Sequence, residues 1–454
     1  MAPAEPPSGP FGRMDPAATF FSTAAMSGVF AADNQVRQML AFEAALARAE
    51  ARAGVIPADA AEAIQQACRV EAFDVPALYR DAVAAATLAV PLVKRLGELV
   101  GDARYVHWGA TSQDAIDTAL VLQMRQGFEL LEEGLVALGQ VCARLADRHR
   151  QTLMPGRTLL QQALPITFGL KAARWLSLVT RQLETLRALR SRVMVVQLGG
   201  AAGTLSSLGN QGPRVVELLA EELGLGVPDL PWHAERDRVA EVASFLGVLA
   251  GGMAKVAGDV LLLAQTEVGE LAEGAAPGKG TSSTLPQKRN PVDAVEAVAA
   301  ARLAIGLVPV VLSAMTQEHE RAAGAWQAEW SAVPDLFRWT AGAISHVCAA
   351  LDGAEVFADR MRQNLDQSQG LSLAESLAMA LARKVGKEEA HKRVQALTRE
   401  VARTGKHLRE VAVDAAVLSP EQIERALAPE NYLGSTDVFI ERALRAFLEL
   451  PHTR

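Results

Sequence analysis

Four short stretches of this 454-residue chain gather side chains able to do chemistry. The richest is Gly278-Lys279-Gly280-Thr281-Ser282-Ser283-Thr284-Leu285-Pro286-Gln287-Lys288-Arg289-Asn290-Pro291. Two glycines and a run of small hydroxyl residues predict a mobile loop, which Pro286 stiffens. Lys288 and Arg289 follow. Asn290-Pro291 is spaced as an N-cap and first helical position, with Asp293 placed to favour the helix dipole. A hydroxyl-bearing loop beside two cations and a helix N-terminus suits binding a carboxylate and moving the proton next to it. Taken alone, the loop is explained as well by a solvated turn ahead of a capped helix. Its companions tip the balance.

Those companions are His107 with Thr111 and Ser112, the segment 156–165 with Arg157 and Gln161, and Gln317-Glu318-His319-Glu320-Arg321. Each has a bland reading. His107 can satisfy a carbonyl, Thr111 can cap a helix, and Arg157 or Arg321 can be a solvated or surface-paired charge. Four such islands along an otherwise apolar chain make the joint bland reading uncomfortable. Placed side by side on a helix, Glu318, His319 and Glu320 would fan around its axis, which argues against a shared metal. The chain has no phosphate loop, no His-Glu-x-x-His and no Gly-x-Ser-x-Gly elbow, and the glycines at 199–203 lack the dinucleotide spacing. No cofactor and no metal is expected. A net charge of -7 gives no general attraction to nucleic acid or acidic membranes, so an anionic substrate must be held by a local cation cluster.

Helices must position these islands. Half the residues are hydrophobic but only 5% aromatic, and alanine is abundant, which favours close helix-on-helix packing. Asp33-Asn34 are expected to cap a helix with an apolar stripe of Val36, Met39, Leu40, Leu46 and Ala47, ending at Gly54. Thr111 and Asp114 fit a capping box ahead of a long proline-free segment to Met154. Further long helices are expected over 166–198, over 233–271 with Val239, Val242, Leu246, Leu249, Met253, Val256 and Val260 as its buried stripe, and after Pro291 with a kink at Pro309. Glycines at 247, 251, 252 and 258 would let neighbours approach closely. The apolar windows 242–254 and 303–315 read as too short to span a bilayer. Three domains follow: 1–110 with a disordered tail over 1–12, a central long-helix bundle over 111–351, and a smaller helical domain over 352–454. The spaced cysteines Cys68, Cys142 and Cys348 read as thiols of a reducing, cytoplasmic compartment.

The serine loop resembles the Gly-Ser-Ser-x-Met-Pro-x-Lys-x-Asn motif of the fumarase/aspartase superfamily, with Thr281 for the glycine and Leu285 for the methionine. The stretches 107–114 and 156–165 resemble that superfamily's first and second regions. Within it the sequence is most similar to the bacterial 3-carboxy-cis,cis-muconate cycloisomerases, on Tyr105-Val106-His107-Trp108-Gly109-Ala110-Thr111-Ser112-Gln113-Asp114, Ala276-Pro277-Gly278-Lys279-Gly280, Gln317 to Arg321 with Trp326 and Ala328-Glu329-Trp330, Pro231-Trp232-His233 and Asn431-Tyr432-Leu433-Gly434. The resemblance implies an all-α fold of three domains and a homotetramer whose active sites are shared between subunits. It also implies a reaction through a dianionic enolate: lactonisation of 3-carboxy-cis,cis-muconate to 4-carboxymuconolactone in protocatechuate catabolism. Ser282 would transfer the proton, with His107 as a second catalytic group. Thr111, Ser112, Gln161, Lys288, Asn290 and Arg321 would bind a small di- or tricarboxylate.

Two departures bear on the substrate. Many superfamily members carry a histidine, tied to protonating the leaving group, where this chain has Leu159. Leucine donates no proton, so the leaving group must be a weak base such as a carboxylate. Trp330 stands where adenylosuccinate lyases carry a phosphate-binding arginine, which disfavours a nucleotide substrate. A lyase expelling nitrite from nitrosuccinate shares the missing acid, and a silent helical scaffold is the alternative outside catalysis.

Overall fold

The computed structural model describes residues 16–450. The expectation for the tail over 1–12 falls outside them. Five long helices carry the middle of the chain: Ser112–Arg148, Phe168–Val193, Asp237–Ala264, Val292–Ser313 and Ala325–Leu351. The residues group into two compact units, and each long helix contributes one part to each. The first unit holds residues up to Gly134 with Leu183–Ala254 and Glu296–Ser345. The second holds Leu135–Gln182, Lys255–Val295 and His346–Arg454.

In the first unit, the helix Ala32–Arg52 buries Val36, Met39, Leu40, Leu46 and Ala47 as expected, and Gly54 follows it with φ +73°. Its N-cap is Ala31, not Asp33-Asn34. Asn34 instead donates to the Val29 carbonyl at 2.7 Å and to Gln126 Oε1 at 2.9 Å, because the short helix Ala24–Val29 ends against it and leaves a carbonyl to satisfy. Every expected stripe residue of Asp237–Ala264 is buried. Gly247 does allow a close approach: a Cβ there would lie 2.5 Å from Val308 Cγ2. At Gly258 nothing lies within 4 Å.

The expectation that the apolar windows are too short for a membrane needs correction. Asp237–Ala264 and Val292–Ser313 are both long and apolar enough to cross one by length and composition. Each helix runs on past the charged residues that bound its window, Glu241 and Lys255 on the first and Arg302 on the second, and a core helix passes the same test.

In the second unit, the segment around Arg157 and Gln161 forms a β-hairpin, Leu153–Thr158 against Gln161–Thr167, with a bulge between Pro155 and Arg157. A second short pair joins Leu271–Ala272 to Glu355–Val356. The helices Ala358–Asp366, Ala374–Val385 and Lys387–Thr404 follow, within the stretch 352–454 expected to be helical. Pro420–Ala426 starts with a complete capping box on Ser419 and Gln422. These C-terminal helices bury their own cluster, including Leu377, Leu381, Val394, Leu408 and Ile423.

Candidate active site

In the first unit, Ser112–Arg148 begins directly after Thr111. One arm of the expected capping box is present, Asp114 Oδ2 accepting the Thr111 N–H at 3.0 Å. Asp114 is fully buried and also accepts the N–H groups of Gly199 (3.0 Å) and Gly200 (2.9 Å) and the Gln197 amide (3.0 Å). Desolvation outweighs these donors and pushes its pKa up to about 6. The turn 199–203, directly after the helix expected over 166–198, is therefore pinned through its amides. Gly200 has φ +66°, and a Cβ there would lie 3.0 Å from the Gly109 carbonyl oxygen, so the turn strongly favours glycine.

The carbonyls of the same turn hold Arg321, whose Nε donates to Ala201 O at 3.0 Å and whose second terminal nitrogen donates to Gly200 O at 2.5 Å. The other terminal nitrogen donates to Gln113 Oε1 at 2.6 Å. All three acceptors are neutral, so the guanidinium is oriented while its charge stays available to an anion. Residues 316–324 form a loop, not the helical segment on which Glu318, His319 and Glu320 were expected to fan out. Glu318 closes that loop by accepting the Ala323 N–H at 3.0 Å.

Behind Gln113 lies a polar network that sequence reasoning missed. Gln113 Nε2 donates to Asp117 Oδ2 (3.1 Å) and to the His233 carbonyl (2.8 Å). Asp117 and Glu329 both receive the Arg236 guanidinium, at 2.7 and 3.0 Å and at 2.5 and 3.0 Å, and all three side chains are essentially inaccessible. Trp326 Nε1 donates to Asp117 at 3.0 Å, and Arg236 stacks 5.0 Å from the Trp232 ring centre. Trp330 packs edge-on against Trp326. An arginine shared by two buried carboxylates is fixed strongly by charge-assisted hydrogen bonds. Its sequence signal was only the pair of tryptophans flanking Glu329.

His107 has φ +57°, a left-handed backbone that costs a non-glycine residue about 1 kcal/mol or more. Its Nδ1 lies 2.6 Å from Glu43 Oε1, a carboxylate on the Ala32–Arg52 helix that is itself 1% exposed.

In the second unit, the serine loop is closed at its base. Asn290 N–H donates to Gly280 O at 2.9 Å, and Thr281 bridges Arg289 in antiparallel fashion. Gly280 has φ +66°, and a Cβ there would fall 2.4 Å from Asn290 O. Arg289 ties the base to the Glu273 carbonyl (2.9 Å) and to Glu355 (2.8 Å). Within the loop, Ser282 Oγ accepts the N–H groups of Leu285 (3.0 Å) and Thr284 (3.3 Å). Ser282 is half-buried, Lys288 exposed and Asn290 half-buried.

The expected cap on the helix after Pro291 is corrected. Val292–Ser313 is capped by Glu273, whose oxygens accept the N–H groups of Ala294 (2.8 Å) and Asp293 (3.3 Å). A buried carboxylate already occupies that helix N-terminus, and Lys279 balances it, 3.4 Å from Glu273 and 2.6 Å from Asp293. Gln161 lies exposed beside the hairpin tip, where Leu159 and Leu160 both take positive φ and are 96% and 75% exposed. Arg157 pairs with the fully buried Glu270 at 2.6 Å, and Asn364 donates to the same carboxylate at 2.7 Å.

His107, Thr111, Ser112 and Arg321 thus belong to the first unit, and Gln161, Ser282, Lys288 and Asn290 to the second. Gln113 joins Arg321 to the start of Ser112–Arg148, and one loop carries Ser282, Lys288 and Asn290 together.

Residues 15–306 match the family model described as lyase, and residues 370–443 match that of the adenylosuccinate lyase C-terminus. A 3-carboxy-cis,cis-muconate cycloisomerase of Pseudomonas aeruginosa is 49% identical over 434 residues, which cover 94% of this chain and 95% of that protein. The chain belongs to the fumarase/aspartase superfamily, with the 3-carboxy-cis,cis-muconate cycloisomerases. The crystal structure of the 3-carboxy-cis,cis-muconate lactonizing enzyme from Pseudomonas putida matches with a TM-score of 0.90 at 42% identity, covering 95% of this chain and 99% of that one. The fold is the expected helical, fumarase-like one, with two short strand pairs added to it. A nitrosuccinate lyase of Streptomyces davaonensis is 40% identical, over 89% of each chain.

Proposed function

We propose that this family member lactonises 3-carboxy-cis,cis-muconate to 4-carboxymuconolactone, reversibly, in protocatechuate breakdown. A terminal carboxylate oxygen of the muconate adds to the β-carbon of a double bond. The π electrons move into the neighbouring carboxylate, giving a dianionic enediolate. The Ser282 hydroxyl gives its proton to the α-carbon and is left as an alkoxide, which takes a proton from water to complete the turnover; in reverse the alkoxide removes the α-proton and the carboxylate departs. The observation that carries this reading is the pair of backbone N–H groups on Ser282 Oγ, which favours the oxyanion form a serine otherwise reaches poorly. Leu159 supports the same reaction, because a departing carboxylate needs no acid while an alkoxide or amine does.

Arg321 and Lys288 supply cations for substrate carboxylates, Thr111 and Ser112 a helix N-terminus, and Gln161 and Asn290 neutral hydrogen bonds. Incubation with 3-carboxymuconate should bleach its ultraviolet absorbance and yield the lactone by NMR. Nitrite release from nitrosuccinate, with carboxymuconate untouched, would select the other reaction. Ser282→Ala should lower kcat by at least about a hundredfold with the fold and assembly intact. Near-normal turnover would remove Ser282 from the mechanism.

The assembly belongs to the proposal as well. Val292–Ser313 buries alanines at 294, 297, 300, 301 and 304, while Val295, Leu303, Ile305, Val310 and Leu312 are exposed. A helix apolar on both faces calls for a second partner, which a homotetramer with shared active sites supplies. The three cysteines are free, as suits a cytoplasmic enzyme.

A further inference from the structure

We propose that Glu43 is a positioning residue that keeps His107 a doubly protonated imidazolium, so that its Nε2–H serves the substrate as a hydrogen-bond donor and cation rather than as a base. The inference rests on the reading of His107 as a site residue given above and assigns its role.

Glu43 and Glu50 lie two turns apart on Ala32–Arg52, on one face, both 1% exposed within a cluster of Met39, Leu40, Phe42 and Leu46. A single carboxylate in such surroundings must be neutralised by a proton or by a cation. The two acids are neutralised differently. Both Glu50 oxygens lack a hydrogen-bond partner among the described residues, and burial together with the Glu43 charge pushes its pKa up to about 9, so it stays protonated. Glu43 Oε2 is likewise unpartnered, but Oε1 meets His107 Nδ1 at 2.6 Å, a charge-assisted distance. The counter-charge for Glu43 is therefore the imidazolium.

The charged groups acting on the ring agree in sign. Glu43 faces it from Ala32–Arg52, and Asp114 acts from the start of Ser112–Arg148. Both favour the protonated ring, and together they overcome burial and raise its pKa. The left-handed backbone at His107 fits this role, because strain of that kind persists only where surrounding contacts over-determine it. With Nδ1 committed to Glu43, Nε2 is the nitrogen left to meet an incoming carboxylate.

The test follows the ring directly by 15N NMR in the full-length protein, with His107→Gln identifying its signal. The wild-type ring should titrate well above the ordinary value of about 6.5. Glu43→Gln should lower that value by a unit or more, and Glu43→Asp should restore most of it. Because the active form is protonated, kcat/KM for carboxymuconate should fall as pH rises through the ring's pKa. In Glu43→Gln that fall should move to lower pH by the same interval, with the melting curve still cooperative. A wild-type ring titrating at or below 6.5, or a Glu43→Gln ring titrating unchanged, overturns the proposal. Failure of the wild type to consume carboxymuconate overturns the reaction instead, and the NMR titration still decides the pair.

Discussion

At the scale of single residues, charge here is handled by pairing with something neutral or something fixed. Arg321 is oriented by two carbonyls and an amide, while Arg236 is saturated by two carboxylates. The first has only neutral hydrogen-bond acceptors, as the proposed carboxylate binding requires, and the second is neutralised by its two partners. Glu50 is the residue whose solution contradicts stability. Its folded pKa is near 9 against an ordinary value of 4.5. Between those values the folded state holds a proton that the unfolded state has lost, so stability falls as pH rises, by ~1.4 kcal/mol per unit. Glu50→Gln keeps the neutral shape without the titration. It should leave stability nearly unchanged at pH 4.5 and raise it by about 2–3 kcal/mol at pH 7 in urea unfolding. Equal destabilisation at both pH values would show that Glu50 is ionised in the native protein.

At the scale of elements, the helices were legible because apolar spacing repeats over many turns, as in Asp237–Ala264, where each stripe residue is buried. Close packing was legible at Gly247 of the same helix, while Gly251 makes only an ordinary contact and Gly258 faces open space. Gly247→Ala would place a methyl 2.5 Å from Val308 Cγ2, deep enough to force one helix to shift. It should cost about 1–3 kcal/mol in denaturant unfolding, whereas Gly258→Ala, with open space around it, should be neutral or gain about 0.5–1 kcal/mol from helix propensity. Equal effects at the two sites would refute the packing argument. What stayed illegible depends on partners distant in sequence. Glu273 displaces Asn290 as the cap of Val292–Ser313, and nothing near either residue announces it. The hairpin around Gln161 was hidden because its strands carry prolines facing one another at 155 and 165 and its turn is two leucines, where turn chemistry favours Asn-Gly. The candidate site islands were legible by residue type, whereas Glu43 and the Asp117–Arg236–Glu329 group behind them sit in stripes that read as ordinary core or surface.

At the scale of the whole molecule, the pattern on Val292–Ser313 is inverted relative to a helix on a monomer's surface. Small side chains face inward and large apolar ones outward, and only 28% of its most apolar stretch is buried within one chain. On Asp237–Ala264, Val248 is 64% exposed and Leu262 45%. Burying one such Val, Leu or Ile side chain stabilises by ~1.5–3 kcal/mol, and covering this surface is the driving force on which the proposed tetramer rests. Sedimentation of the wild type at micromolar concentration should give a tetramer and no appreciable monomer. Ile305→Glu puts a charge where that contact is proposed and should yield smaller species. Because the sites are proposed to be shared, its turnover should fall in step with the loss of tetramer. Val83→Glu, at an 82% exposed valine on the helix Val75–Ala85, introduces the same charge away from the long helices and should leave the assembly unchanged. A monomeric wild type, or a fully active monomeric Ile305→Glu, would mean that one copy completes its own site, and the exposed apolar face would then need another explanation.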